Sequence, residues 1–560
     1  MKVVSNLYQI MVVAQFIIFC SFLYFLGRGL IISIDKISHN KFKIFDTKIS
    51  GLNLNIFFIL IALIFLGNIS FIVNFFSGTN NIYFFGLILI ICLLNILKFT
   101  SPQFSLSGIV NFVLTPGILA VSTISTGLHY DAMLYHIHYQ NWIRSEKIVL
   151  GLANFHPRFG FSSIYDYISS FLWLDNNFII LHYLNLSFLV VFFSFLFSNI
   201  MSTKNNLFFP SIFILLFGIL DNFGFYGGRN GFLYIEGVGK PDLGFAVVFL
   251  ISNLLIISSI IQNRYSNQEF FFFSILILFS IQLRINGLLS LMLLFLYYFK
   301  LKNKNFKLIL PSALLGFIWI LKNLLLTGCL LYPVEITCLN NLTWYSSGDA
   351  LLWKIDTASF HNGLITNSGI MPWFNSWTDN QLNIGVAKNF IISLIIIFSL
   401  KIIFLKSKNK VPFTTKTIVF YYFIINYFFW IYHAPAIRLG MGIFLLNIGV
   451  IGLSNLDFKF NVKFNKLIES KYVLISIFML CVILMPRVHK YFEFLEEPLH
   501  VSKIEILNSA TMPNPKGGYG VVPTYEISKE ETCGLNLKCV PYATEVKLYK
   551  SNYFNYKIFK

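Results

Sequence analysis

Polar and apolar positions along this chain do not alternate. Long apolar runs follow one another, separated by short polar joints. A helix crossing a hydrocarbon core about 30 Å thick needs about 20 mostly apolar residues. Runs of that kind are predicted near 6–32, 53–76, 82–98, 108–126, 178–200, 207–225, 243–262, 269–283, 285–299, 306–327, 387–405, 415–433, 438–455 and 471–486. The short pair on either side of Arg284 can also be read as one broken helix. Strands of a membrane barrel alternate over about ten residues, and these runs are too long and too continuous for that. Inside lipid the backbone must satisfy its own hydrogen bonds, which helices do. The predicted fold is an all-α polytopic membrane protein with about 12–14 transmembrane helices.

Composition agrees: 56% of residues are hydrophobic and 12% charged, where soluble chains carry about a quarter charged. The net charge of +18 would suit nucleic acid if it were gathered on one surface. It is instead dispersed in short clusters between apolar runs, which excludes that class and gives an orientation. Lys36, Lys41, Lys43 and Lys48, then Lys204, Arg264, Lys300 to Lys307, Lys406 to Lys410 and Lys459 to Lys471 fall on alternate joints. If those joints are cytoplasmic, the outward segments are 127–177, 226–242, 328–386, the turn at 433–438 and the tail 487–560. The first run has little flanking charge and no small-residue cleavage site, as expected of an uncleaved helix. Cys20, Cys92 and Cys481 lie in apolar runs, whereas Cys329 and Cys338, and Cys533 and Cys539, form two close pairs in outward segments. Disulfides persist outside the reducing cytoplasm, so both pairs are candidate bridges.

The polar chemistry gathers on the outward side. In YDAMLYHIHYQNWIR (130–144), helical spacing puts Asp131, Tyr135, His138 and Trp142 on one face, with His136 and Gln140 toward another. Such a segment can lie on the membrane surface with its aromatics at headgroup depth. Asp131 stands out, because a carboxylate at the mouth of a span is costly unless used or paired and no lysine neighbours it. GLANFHPRFGFSS (151–163) adds His156 and Arg158, or is an interfacial loop anchored by Phe155, Phe159 and Phe161. In GVGKPDLGF, Asp242 follows Pro241 at a predicted helix start, where a carboxylate favours the positive helix end. Arg284 and Arg438 sit at outer ends of apolar runs, and a guanidinium there calls for a carboxylate or phosphate partner. The segment from Cys329 onward holds Trp344, Trp353, Trp373 and Trp377, which suit sugar faces or a membrane belt equally. His136 and His138 diverge on a helix, so no strong metal spacing appears; Asp131 and Asp242 are the ligands for a divalent ion if one binds. There is no phosphate-binding loop, dinucleotide fingerprint or nucleophile elbow.

An outward carboxylate in the first large outer loop, followed by outward arginines, resembles the GT-C superfamily of membrane glycosyltransferases. More closely, HYDAMLYH, GLANFHPRFGFSS, LLYP, APAIRLG and a tail with C-x5-C-x-P are similar to a bacterial polytopic family found among surface-polysaccharide genes. The resemblance implies a GT-C-like core at 108–486, additional helices at 1–107 and a small extracytoplasmic C-terminal α/β segment at 487–560. It implies a multi-pass protein of the bacterial inner membrane, its active site facing the periplasm. There it would transfer a sugar or glycan from a polyprenyl-phosphate donor to a lipid-linked or glycan acceptor. By position, Asp131 would be the catalytic base, and Arg284 and Arg438 would hold the departing lipid phosphate. Tyr135, His136, Gln140, His156, Arg158, Asp242 and Tyr332 would contact substrate. Many relatives of that kind carry a second acid beside the first, whereas Ala132 and Met133 follow Asp131 here. Repeat-unit polymerisation for O-antigen or capsule, and transport of lipid-linked glycans, are the alternative readings.

Overall fold

The computed structural model describes residues 2–37, 48–49, 52–80, 86, 90, 106–121, 131–173, 179–202, 205–223, 239–367, 369–407, 413–453, 456–458, 470–484, 511–513, 519–521, 548–550 and 556–559. Among them the chain is mostly helical. Six helices are long and apolar enough to cross a membrane: Met11–Lys36, Leu54–Asn74, Leu181–Ile200, Asp242–Ile261, Leu310–Thr327 and Gln381–Ile403. Shorter apolar helices, among them Phe208–Asp221, Asn267–Leu283, Ile285–Lys300 and Ile437–Gly452, pack between these. The run expected at 82–98 lies almost wholly outside the described residues. The described strands form only two-stranded antiparallel pairs, such as Leu405–Ser407 with Leu456–Phe458 and Leu548–Lys550 with Lys557–Phe559.

Helix Asp242–Ile261 is the axis of the packing. It is apolar all round, as a helix enclosed by others must be, and 94% of it is buried. Its neighbours include the helices Ile437–Gly452, Asn267–Leu283 and Ile179–Ile200. Its interior polar side chains are matched across helices. Asn253 donates to Ser290 Oγ at 2.9 Å and accepts from the Tyr422 hydroxyl at 2.9 Å. A second such link joins the 58–74 helix to the end of Asn267–Leu283, where Gln282 Nε2 donates to Asn68 Oδ1 at 2.9 Å and Asn68 Nδ2 returns a bond at 3.3 Å. In a water-poor interior an unmatched amide costs about 1–3 kcal/mol, so these pairs fix helix register as well as proximity.

The chain breaks at Arg284 rather than continuing. Arg284 is extended (φ −150°, ψ 140°) and separates Asn267–Leu283 from the turn Ile285–Ser290 and helix Leu291–Lys300. Ser163 Oγ donates to the terminal carbonyl of Leu283 at 2.9 Å, satisfying one group that the break leaves open. The chain then runs away from Arg284 to Lys300 and returns along Leu310–Thr327.

The end of the chain docks on the 131–173 segment. Phe559 N–H donates to Leu150 O and Leu150 N–H donates to Lys557 O, both at 2.9 Å. The Phe559 ring stacks on Phe155 at 5.0 Å and meets Trp142 edge-on. Cys329 and Cys338 are disulfide-bonded; Cys533 and Cys539 lie outside the described residues.

Candidate functional site

The residues from 131 to 145 do not form a regular α-helix. Ala132–His136 is a π-helical turn that leads into the α-helix Ile137–Ser145. A π turn takes more than four residues per revolution, so it rotates the later residues against the phase expected from sequence. Asp131, Tyr135, His136 and Tyr139 all line one cavity as a result. His138 and Trp142 are buried away from it, and the segment is an inner wall rather than a helix lying on a membrane surface.

That cavity has a volume of about 550 Å³ and draws on distant parts of the chain. Asp131, only 3% exposed, faces the ammonium of Lys240 at 2.6 Å. The sequence expectation that no lysine attends Asp131 is therefore corrected; the partner comes from the KPD turn ahead of the 242–261 helix. Asp242 opens that helix but makes no capping bond. Its carboxylate instead contacts the Arg284 guanidinium, with Arg438 Nη1 at 3.9 Å from its other oxygen. Arg284 Nε has no hydrogen-bond acceptor among the described residues. Burial, and then the like charge of Arg438, push Lys240 down to about 8 against the pull of Asp131. His361, also on the wall, is pushed down to about 3 by burial and then by Arg438 and Arg284, so it is neutral beside the two arginines.

Each arginine is held from behind. Arg284 follows the Asn68–Gln282 pair and the Ser163 bond already described. Arg438 follows a turn clamped by two indoles: Trp377 Nε1 donates to Pro435 O at 2.9 Å and Trp430 Nε1 to Ala436 O at 3.0 Å. Trp344 likewise donates to Leu324 O at 3.0 Å, so two of the four loop tryptophans serve as fasteners. Trp353 lines the cavity.

From this charged end the cavity continues as an apolar trough between Asn267–Leu283, Leu291–Lys300 and Leu310–Thr327, lined by Ile277, Ile281, Leu294, Phe317 and Ile320. Along the last of these helices the lining runs from Ile309 to Asn323, roughly 20 Å at 1.5 Å per residue. The outer flank of that helix is exposed at Leu310 and Leu314.

Of the residues singled out from sequence, Asp131, Tyr135, His136, Arg158, Asp242, Arg284, Tyr332 and Arg438 line this one cavity. Gln140 and His156 do not. Gln140 is fully buried behind the wall, where its amide donates to Asp166 Oδ1 at 3.4 Å and accepts from Trp173 at 2.9 Å. His156 caps the turn Pro157–Phe161 by accepting the Arg158 N–H at 3.3 Å. Most of the GLANFHPRFGF stretch is a buried junction, with Phe155 and Phe159 7% and 1% exposed, while Phe161 is 40% exposed. At Gly160 a Cβ would come within 2.7 Å of the Tyr332 ring, so only glycine lets that ring close the wall.

Sequence reasoning passed over Lys240, Asp166, His361 and Lys322. Lys322 is fully buried in Leu310–Thr327, donating to Ser162 Oγ at 2.9 Å with its ammonium 3.3 Å from the Trp319 ring centre. A lysine inside an apolar run was a readable signal; Lys240, two residues before Asp242, was another. As for a metal, Asp131 and Asp242 each face cations, and no group of three or more His, Cys, Asp or Glu side chains forms among the described residues.

Residues 10–445 match the family described as a domain of unknown function (DUF8201), and the chain belongs to that family. No curated protein and no solved structure matches it.

Proposed function

We propose that this member of the DUF8201 family is a multi-pass membrane glycosyltransferase that takes its sugar or glycan from a polyprenyl-phosphate carrier and serves surface-polysaccharide or lipid-glycan assembly. The observation that carries the reading is the continuity of the cavity. Lys240, Arg284 and Arg438 surround one end, and an apolar trough of roughly 20 Å leaves from the other. An amphiphile with an anionic phosphate head and a hydrocarbon tail has that distribution of chemistry. Arginine forks match phosphate oxygens in a bidentate way, and the trough is about two thirds of a hydrocarbon core in depth.

In the reaction an acceptor hydroxyl attacks the anomeric carbon, the C–O bond to the lipid phosphate breaks, and the configuration inverts. Arg284 and Arg438 stabilise the charge that grows on the departing phosphate. His361, neutral on the same wall, offers a hydrogen bond without competing for the anion. The 12–14-helix GT-C-like architecture, the bacterial inner membrane and a periplasmic site belong to the same proposal. The lysine clusters support that orientation, as does a disulfide in the 328–386 segment.

The test uses the full chain in liposomes with tritiated hexosyl and aminohexosyl polyprenyl phosphates. Transfer of label to a glycan acceptor, abolished by R284A and R438A, is expected. Failure of every donor to bind or react would overturn the reading. In cells, loss of long glycan chains with intact single repeats on deletion would assign polymerisation rather than single-sugar transfer.

A further inference from the structure

We infer that His136, oriented by Asp166, is the general base that takes the proton from the acceptor hydroxyl, in place of Asp131. The inference rests on the glycosyltransferase reading above and concerns the same cavity. Resemblance assigns the base role to Asp131, but Asp131 has an ammonium at 2.6 Å with both side chains buried. A carboxylate so engaged is a weaker proton acceptor than an unpaired one, because the opposite charge favours its ionised form.

His136 has a different setting. Its Nδ1 lies 3.7 Å from Asp166 Oδ1, and side-chain exposure is 12% and 5% for the two. Asp166 is itself fixed. Its second oxygen accepts the Ser163 N–H at 3.4 Å as part of a capping box, and Gln140, turned by Trp173, donates to its first oxygen at 3.4 Å. The imidazole is gripped on its sides. Tyr135 has its ring centre 4.2 Å away, and the backbone of Gly239 presses so close that a Cβ there would lie 2.3 Å from His136 Cβ and Cγ. Gly239 has φ +85°, a left-handed conformation that glycine adopts without strain. Meanwhile His136 Nε2 is itself buried and has no hydrogen-bond partner among the described residues, in a side chain that lines the cavity, so an acceptor hydroxyl has to press in against it to be deprotonated. At 3.7 Å the pair is an electrostatic contact and not yet a hydrogen bond; a carboxylate that closes on one ring nitrogen and keeps it in its N–H form leaves the other with its lone pair for proton abstraction. Such contacts are often long before substrate binds and tighten afterwards.

The step balances. The acceptor O–H bond breaks, its proton passes to His136 Nε2, the new C–O bond forms at the anomeric carbon, and the electron pair of the old bond leaves on the lipid phosphate. Asp166 stabilises the imidazolium until the proton returns to water.

The experiment measures label transfer by full-length protein in liposomes from whichever polyprenyl-phosphate sugar the wild type uses. In parallel, binding of sugar-free polyprenyl phosphate is followed by thermal stabilisation. H136Q is expected to lose about 10²–10⁴-fold in turnover while polyprenyl phosphate still stabilises it. Imidazole in the buffer should restore part of the activity of H136A and none of that of D131A. Wild-type turnover in H136Q, or rescue of D131A rather than H136A by added base, would overturn the inference. If H136A does not fold, H136Q decides alone, with D166N expected to show a smaller loss in turnover at unchanged donor KM. Wild-type protein inert toward every donor overturns the underlying reading instead, which separates the two failures.

Discussion

Lys240 offers the sharpest physical test of the charged chamber. The residue is 5% exposed and its ammonium is pushed from 10.5 to about 8, because burial and Arg438 outweigh the attraction of Asp131. A folded-state value below the unfolded one means that the folded protein holds this proton less readily. The cost is therefore full below about pH 8 and is relieved as pH rises toward 10.5. At about 1.4 kcal/mol per unit, the relief amounts to about 3 kcal/mol. Wild-type stability should gain that increment across the window, and K240M should lack it, whatever other lysines and tyrosines contribute to both proteins. The pair itself should show as coupling: K240M, D131N and the double variant should depart from additivity by about 2–3 kcal/mol, as contacting buried groups do. Detergent-solubilised protein, unfolded thermally and by SDS at pH 7.5, 9 and 10.5, supplies both readings. Identical pH slopes for wild type and K240M, together with additive single effects, would refute the ion pair and the desolvation argument alike.

The same geometry sets other expectations. R284K and R438K retain charge but lose the planar fork, and each should weaken polyprenyl phosphate by about 10–100-fold, read by quenching of Trp353 in the chamber. G239A should reduce stability by more than about 2 kcal/mol, whereas G348A, also at φ +85° but with nothing within 4 Å of its Cβ, should lose only about 1 kcal/mol; equal losses would count against the imidazole clamp. N68L should cost about 1–3 kcal/mol by leaving Gln282 unmatched, and N68L/Q282L should recover most of it. Replacing Cys329 and Cys338 by serine should cost about 2–3 kcal/mol, with the wild-type thermal midpoint falling to the same value in reductant.

Much of this arrangement is legible in the sequence. Apolar run length locates the helices Asp242–Ile261 and Leu310–Thr327 closely, and both are long and apolar enough to cross a hydrocarbon core. Lysine dispersal puts Asp131, Asp242, Arg284 and Arg438 on one side, and they do meet around one cavity. Phase and pairing are not legible in the same way. A periodicity of 3.6 residues cannot register the π turn at Ala132–His136, so the face assigned to Asp131 is half wrong: Tyr135 belongs there, while His138 and Trp142 do not. Nor can periodicity show that Lys240 reaches back to Asp131, or that Asp166 stands behind His136. Those contacts join segments far apart in the chain, which a local period does not relate. The tryptophans mislead for a different reason: an indole N–H fastening a helix-end carbonyl has the same sequence as one waiting for a sugar.

Among the described residues the charges on the cavity wall balance: Asp131, Asp166, Asp242 and Asp356 stand against Arg158, Lys240, Arg284 and Arg438. On the proposed reading, a phosphate arriving there would have to share Arg284 and Arg438 with Asp242, the anion already beside both. On the proposed glycosyltransferase reading, that carboxylate would act as a tethered competitor at a local concentration no free lipid can match. It would set a ceiling on how tightly a spent carrier is held, and make its departure a displacement rather than a wait. Turnover in such a chamber would be governed as much by what the protein supplies against its own ligand as by what it offers to it.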